Sequence, residues 1–310
     1  MNSPVVKKIL LALSILTLIS LACGLTIDLT PGAEVPTAEN TPVLVIDPPT
    51  PTPEVFIALT QAIPATPTVQ PSPATNTLVT FGRLSLEIPS SVANGASGTD
   101  IAPIIAEDAP YWEKTPGHLQ VSLDDYYILQ GKSHRPQIYV YPALEYAQLV
   151  PAAFESMHRL RNALYAPEAV GADQLPAVPF FNAAQVFASN VQPISFQNGS
   201  GIRFVTEYAQ GFVSINNQDL FYHFEGFTDD GNYYIVAVLP VTSQLLAESN
   251  DLDAPLPAGG IPFPDLASAD PDLQGYFDAV ATLLDAQPSE SFSPSLSQLD
   301  VLIQSMWVAP

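Results

Sequence analysis

The chain has 310 residues, with nine Lys and Arg against 31 Asp and Glu, for a formal net charge of −22. A field of that sign repels nucleic acid and anionic lipid, which excludes nucleic-acid partners. Only 13% of residues are charged while 47% are hydrophobic, so the imbalance reflects scarce basic residues rather than a disordered acidic tail.

At the N-terminus Lys7 and Lys8 precede an apolar run, Ile9 to Ile19, broken only by Ser14 and Thr17. About 11 residues suit the core of a secretory signal and fall short of the ~20 that a membrane span needs. Ser20-Leu21-Ala22 then leads into Cys23, the one cysteine of the chain. Ala22-Cys23 resembles the end of a bacterial lipobox, although Ser20 and Leu21 depart from that pattern. The resemblance implies that Cys23 is a lipid-attachment site and that the membrane is a partner, at the outer face of a membrane of the bacterial envelope. Ser20-x-Ala22 equally satisfies the small-x-small rule for ordinary signal cleavage, which would release a secreted protein. If the apolar stretch is read on to Ile27, an uncleaved anchor is a third outcome. With one thiol no intrachain disulfide forms, so the core alone must hold the fold.

Residues 24–76 read as a disordered Pro/Thr-rich tether between the signal (1–23) and a single domain (77–310). Pro48-Pro-Thr-Pro-Thr-Pro53, Pro64-Ala-Thr-Pro67 and Pro71-Ser-Pro73 favour extended polyproline II, since proline fixes φ and removes amide donors. Fully extended, the stretch reaches on the order of 150 Å at ~3.1 Å per residue. Two apolar islands, Val43 to Ile46 and Val55 to Leu59, interrupt it.

The domain reads as α+β: an antiparallel sheet of six or seven strands, at least four of them in a meander, with helices packed on it. Thr77 to Ile88 alternates around Phe81-Gly82 as an opening hairpin or bent strand, and His118 to Leu123 and Gln137 to Tyr141 read as strands. Ala143 to Val150 follows, and Pro151 to Tyr165 has helical spacing with Pro151 in its first turn. Between Gln192 and Val241 four runs rich in aromatic and β-branched residues are separated by the turn compositions Gln197 to Gly201 and Asp229 to Asn232. Two helices close the chain, one with Pro271 in its first turn after Asp270 and one with Pro294 following a Ser293 cap, each with one apolar stripe that should cover one face of the sheet.

Gly82-Arg-Leu-Ser-Leu-Glu-Ile-Pro89 resembles the opening strand of PsbP-like extracytoplasmic domains, and Leu299 to Trp307 their closing helix and strand. That family's tryptophan after the opening proline is missing here, and the middle is longer. Phe196 to Val241, with the leader and tether, is similar to a group of uncharacterised bacterial exported proteins. Both resemblances imply location and fold and supply no activity.

The best polar cluster is Arg203 and Glu207 with His223 and Glu225. Within each strand the pair is two or four residues apart and so shares a face; paired strands would bring all four together as a solvated surface cluster. His118, His134, His158 and His223 show no metal-ligand spacing, and Asp229-Asp230 and Asp251-Leu-Asp253 lack the EF-hand pattern. Gly95-Ala-Ser-Gly98 and Gly199-Ser-Gly201 read as flexible loops without the nucleophile elbow. These features set no cofactor and no metal, and give a non-enzymatic binding domain for an unknown protein or glycan ligand as the first expectation. A cell-wall or glycan module using Tyr126, Tyr127, Tyr139, Tyr141, Tyr233 and Tyr234 is the second, and a hydrolase built on His223 and Glu225 the third.

Overall fold

Period-two alternation in the first twelve domain residues produces a tight hairpin. In the computed structural model, which describes residues 76–127, 130–166, 171–251 and 253–310, β1 (Thr77–Phe81) and β2 (Leu84–Ile88) pair antiparallel. Gly82 takes the turn at φ +53°, a region that costs glycine little. Leu84, Leu86 and Ile88 all point inward. The leader, Cys23 and the tether up to residue 75 lie outside the described residues.

The main sheet draws on the rest of the chain. Its strands are β3 (Gly95–Ile101), β4 (His118–Asp124), β5 (Gln137–Pro142), β6 (Ala184–Phe196), β7 (Gly199–Ala209), β8 (Phe221–Thr228) and β9 (Tyr233–Pro240). They form one antiparallel seven-stranded sheet in the order β3-β4-β5-β9-β8-β7-β6. The predicted meander is β6 to β9, each strand beside its chain neighbour. Helices α1 (Ala143–Leu149) and α2 (Pro151–Tyr165) lie between β5 and β6. After β9 come β10 (Thr242–Ser243), α3 (Leu273–Asp285), β11 (Phe292–Ser293), α4 (Leu296–Gln304) and β12 (Trp307–Val308). β12 returns to pair with β2, and β10 with β11.

Three readings change. Gly95 to Gly98 is not a loop but part of edge strand β3. A Cβ on Gly98 would sit 2.5 Å from the Phe81 ring, so only glycine lets the hairpin seat that ring against the strand. β6 begins about ten residues before the expected start, because register shifts at Gln185/Phe187 and Ser189/Gln192 break its alternation. The caps also move: Asp272 accepts from the Gly275 amide at 2.8 Å, and Ser295 from the Gln298 amide at 3.3 Å. Pro271 and Pro294 therefore precede the helices they were expected to open.

The sheet is covered on both faces. On the first face Tyr222, Phe224, Ile235 and Ala237 pack with the β2 side chains and with Val280, Leu284, Leu299 and Ile303 from α3 and α4. On the second, Phe204, Tyr234 and Val236 pack with Ala153, Met157 and Leu160 of α2. The closing helices were expected to cover one face, and they do; α1 and α2 take the other. Every residue of β8 is consequently buried. Among the described residues no helix is long and apolar enough to cross a membrane.

Candidate functional site

The register of β7 and β8 decides the fate of the predicted polar cluster. Ile202 lies opposite Glu225, Arg203 opposite Phe224 and Phe204 opposite His223. Directly opposed residues share a face, so His223 and Glu225 belong with Ile202 and Phe204 on the α2 face. Arg203 and Glu207 belong with Phe224 on the other. Each pair shares a face as expected, but the four residues do not converge, and none is a surface residue: Arg203 is 3% exposed and the others 0%. The expectation of a solvated face fails because both faces carry helices.

Arg203 ties α4 and the β6 bulge to the sheet. Its guanidinium donates to the Asn190 carbonyl and to Gln192 Oε1 at 2.7 Å, and its Nε lies 3.3 Å from Asp300 Oδ1. Tyr222 donates its hydroxyl to the same carboxylate at 2.9 Å. Burial raises the Asp300 pKa, opposed by Arg203 and Tyr222.

On the second face His223 Nε2 lies 2.7 Å from the Val178 carbonyl oxygen and 3.1 Å from Glu225 Oε1. Glu225 Oε1 also accepts from the Val178 amide at 2.7 Å, and Oε2 from the Tyr234 hydroxyl. Ser156 of α2 lies within 3.5 Å of Oε2 and accepts from the Ala177 amide at 2.8 Å. Burial raises the Glu225 pKa, against His223, the Val178 amide and Ser156. The arrangement joins helix, sheet and the 175–178 segment. It has the residue types of an acid–base dyad but no accessible surface.

Glu207 has a different role. Its Oε2 accepts from the Asn216 amide at 3.0 Å and its Oε1 from Asn216 Nδ2 at 3.2 Å. Burial lifts its pKa to about 9, with the Asn216 amide pulling downward and Asp219 pushing further up. The carboxyl is therefore neutral at pH 7. Next in the chain, Asn217 donates to the Ser243 and Leu246 carbonyls at 3.0 and 3.1 Å and accepts from the Ser243 amide at 2.8 Å. Two consecutive asparagines thus fasten the loop after β7 downward to the sheet and sideways to the loop after β10. Lys132 donates to the Asn217 carbonyl, and burial lowers its pKa to about 8.

Above this base the two loops enclose a groove of about 580 Å³, within the usual range for ligand sites. One wall is Phe212, Val213 and Ile215; the other is Leu256, Ile261, Phe263 and Leu266. Tyr276 of α3 closes the end, and its hydroxyl accepts from the Ile215 amide at 3.0 Å. Phe212, Leu256 and Leu266 are 65%, 45% and 51% exposed. Large apolar side chains grouped at one concavity mark a binding surface more than scattered ones do.

Sequence reasoning missed this groove and both asparagines. One of its walls lies in Leu256-Pro-Ala-Gly-Gly-Ile-Pro-Phe-Pro-Asp-Leu266, where apolar residues recur with no helical or strand period. Their presence in a Pro/Gly-rich loop was the available signal.

The remaining candidates resolve into structure. Tyr126, Tyr141 and Tyr234 are buried, Tyr139 and Tyr233 half-buried, and Tyr127 alone of the six is open, so they form no shared platform. Asp230 accepts from Thr228 Oγ1 and the Asn232 amide in the β8–β9 turn. Among the described residues no three His, Cys, Asp or Glu side chains gather to hold a metal. Two wider concavities have more polar linings. One, of about 750 Å³, surrounds Arg83, Asp100 and Glu145; the other, of about 710 Å³, surrounds Arg159, Asp173 and Asp278. No protein-family model, curated protein or solved structure matches the chain.

Proposed function

We propose that this protein is a non-enzymatic binding domain of the bacterial cell envelope, held at the outer face of a membrane through lipidated Cys23, that takes its ligand in the groove between the loops after β7 and β10. The observation that carries the reading is the exposure of Phe212, Leu256 and Leu266 around one apolar concavity. Full burial of such side chains is worth about 1.5–3 kcal/mol each, and a bound ligand recovers roughly the half of it that their present exposure forgoes. The leader and the Pro/Thr-rich tether support the location. The fully buried placement of His223 and Glu225 favours binding over catalysis.

A neutral solvatochromic dye added to the full chain tests the groove. Its fluorescence is expected to rise with wild type and to fall at least tenfold in affinity with Phe212→Ser plus Leu256→Ser, both at exposed positions. Equal dye binding by wild type and variant would refute the reading.

A further inference from the structure

The geometry points to one class of occupant for the groove: an extended peptide segment of apolar residues flanked by Lys or Arg. This rests on the proposed binding role of that groove and adds the chemistry of its ligand. Three observations combine.

The first is charge. Asp251 and Asp265 stand in the groove wall and no cation does. No Lys or Arg follows Arg203 anywhere in the chain, whereas Glu248, Asp253, Asp270 and Asp272 cluster in the adjoining segments. Among the described residues each groove carboxylate is engaged only with its own turn, Asp251 with the Asp253 amide at 3.1 Å and Asp265 with the Ala267 amide at 2.9 Å. An apolar ligand that brings a positive charge to this rim gains attraction and is steered inward by the net charge of −22.

The second is the backbone. Among the described residues the amides of Phe212, Val213 and Ser214, and the carbonyls of Phe212 and Val213, have no hydrogen-bond partner. They follow β7 after bends at Gln210 and Gly211 and belong to no strand. An extended peptide can replace solvent as the partner of these groups while its side chains alternate into the groove, which is how peptides add to a free backbone edge. An acyl chain has neither donors nor acceptors.

The third is the membrane itself. The same negative field repels anionic lipid, which disfavours the bilayer surface as the occupant.

The test uses the full chain in nanodiscs of neutral lipid and short fluorescent peptides that share one apolar core. The flanks are Lys, Ser or Glu, and a further peptide carries Lys flanks and N-methylated alternate core amides. Fluorescence anisotropy reads affinity, with empty discs as the control. The Lys-flanked peptide is expected to bind at least tenfold tighter than the Glu-flanked one. That preference should shrink from about 50 to about 300 mM salt. N-methylation should weaken binding about tenfold. Asp251→Asn with Asp265→Asn, which keeps both turn acceptors, should remove about fivefold to tenfold from the Lys-flanked peptide and leave the Ser-flanked one unchanged. Equal binding of Lys and Glu flanks, a Lys preference that survives the asparagine variant, or indifference to N-methylation would each overturn the inference while dye binding in the groove still stood. Failure of every peptide to bind while the dye remains sensitive to Phe212→Ser and Leu256→Ser would do the same. Dye binding that ignores those variants would remove the underlying reading as well.

Discussion

Glu207 offers the sharpest quantitative test of how the groove is supported. Its folded-state pKa is about 9 against 4.5 for an exposed glutamate. Between those values the native protein keeps a proton that the unfolded chain releases. The stability that this one proton contributes is therefore fullest below pH 4.5 and is lost as pH rises toward 9, at about 1.36 kcal/mol per pH unit. From pH 6 to pH 8, inside this window, Glu207 costs the wild type on the order of 3 kcal/mol. Glu207→Gln retains a carbonyl to accept from the Asn216 amide and carries no titrating proton. Urea unfolding of both proteins across that range is expected to show the difference between them moving by roughly 2–3 kcal/mol in favour of the variant. Glu207→Ala, which strands the Asn216 amide and leaves a void, should instead cost about 2–4 kcal/mol at pH 6, a deficit that narrows toward pH 8 because alanine does not titrate either. Parallel pH profiles for wild type and Glu207→Gln would refute the assignment of a neutral buried carboxyl beneath the groove.

Two further outcomes test other parts of the molecule. Arg203→Met should destabilise the fold by about 3–5 kcal/mol by leaving Asp300 buried without its partner, while Arg203→Met with Asp300→Leu should recover much of that loss in the same unfolding assay. In cells fed labelled palmitate, Cys23→Ser is expected to lose the label and move from the membrane to the soluble fraction; unchanged label and fractionation would show that Cys23 is not the anchor.

The parts of the fold that follow a strict period were legible. The β1–β2 hairpin, the β6–β9 meander and the stripes of α2, α3 and α4 all pair apolar spacing with clear turn or cap residues. What could not be read was what lay on the far side of each strand. The spacing of Arg203 to Glu207 and of His223 to Glu225 says that each pair shares a face, but which face depends on the β7–β8 register. That register, with Ile202 opposite Glu225, is set across the connection from Gln210 to Leu220, whose sequence carries no short turn pattern that would fix it. One residue of slip exchanges every side chain between faces, so two pairs that each share a face within a strand need not share one across the strands. β3 escaped for a related reason: its small residues serve the Phe81 ring rather than an alternating pattern.

The buried polar groups also clarify why a chain with so few basic residues still places Arg203 in its interior. A sheet covered on both faces by separate helical layers needs something to fix how each layer docks, and apolar contact alone is tolerant of sliding. Directional bonds are not. Arg203 with Asp300 indexes α4, Glu225 with Ser156 indexes α2, and Glu207 with Asn216 indexes the groove loop. Each joins the sheet to a different element, and each is shielded from the solvent that would weaken it. Because Glu207 is neutral at pH 7, it holds its loop without adding a negative charge beneath the rim formed by Asp251 and Asp265. The acidity of the groove is therefore confined to its edge, where it can select a cationic ligand, while the floor stays apolar enough to receive one.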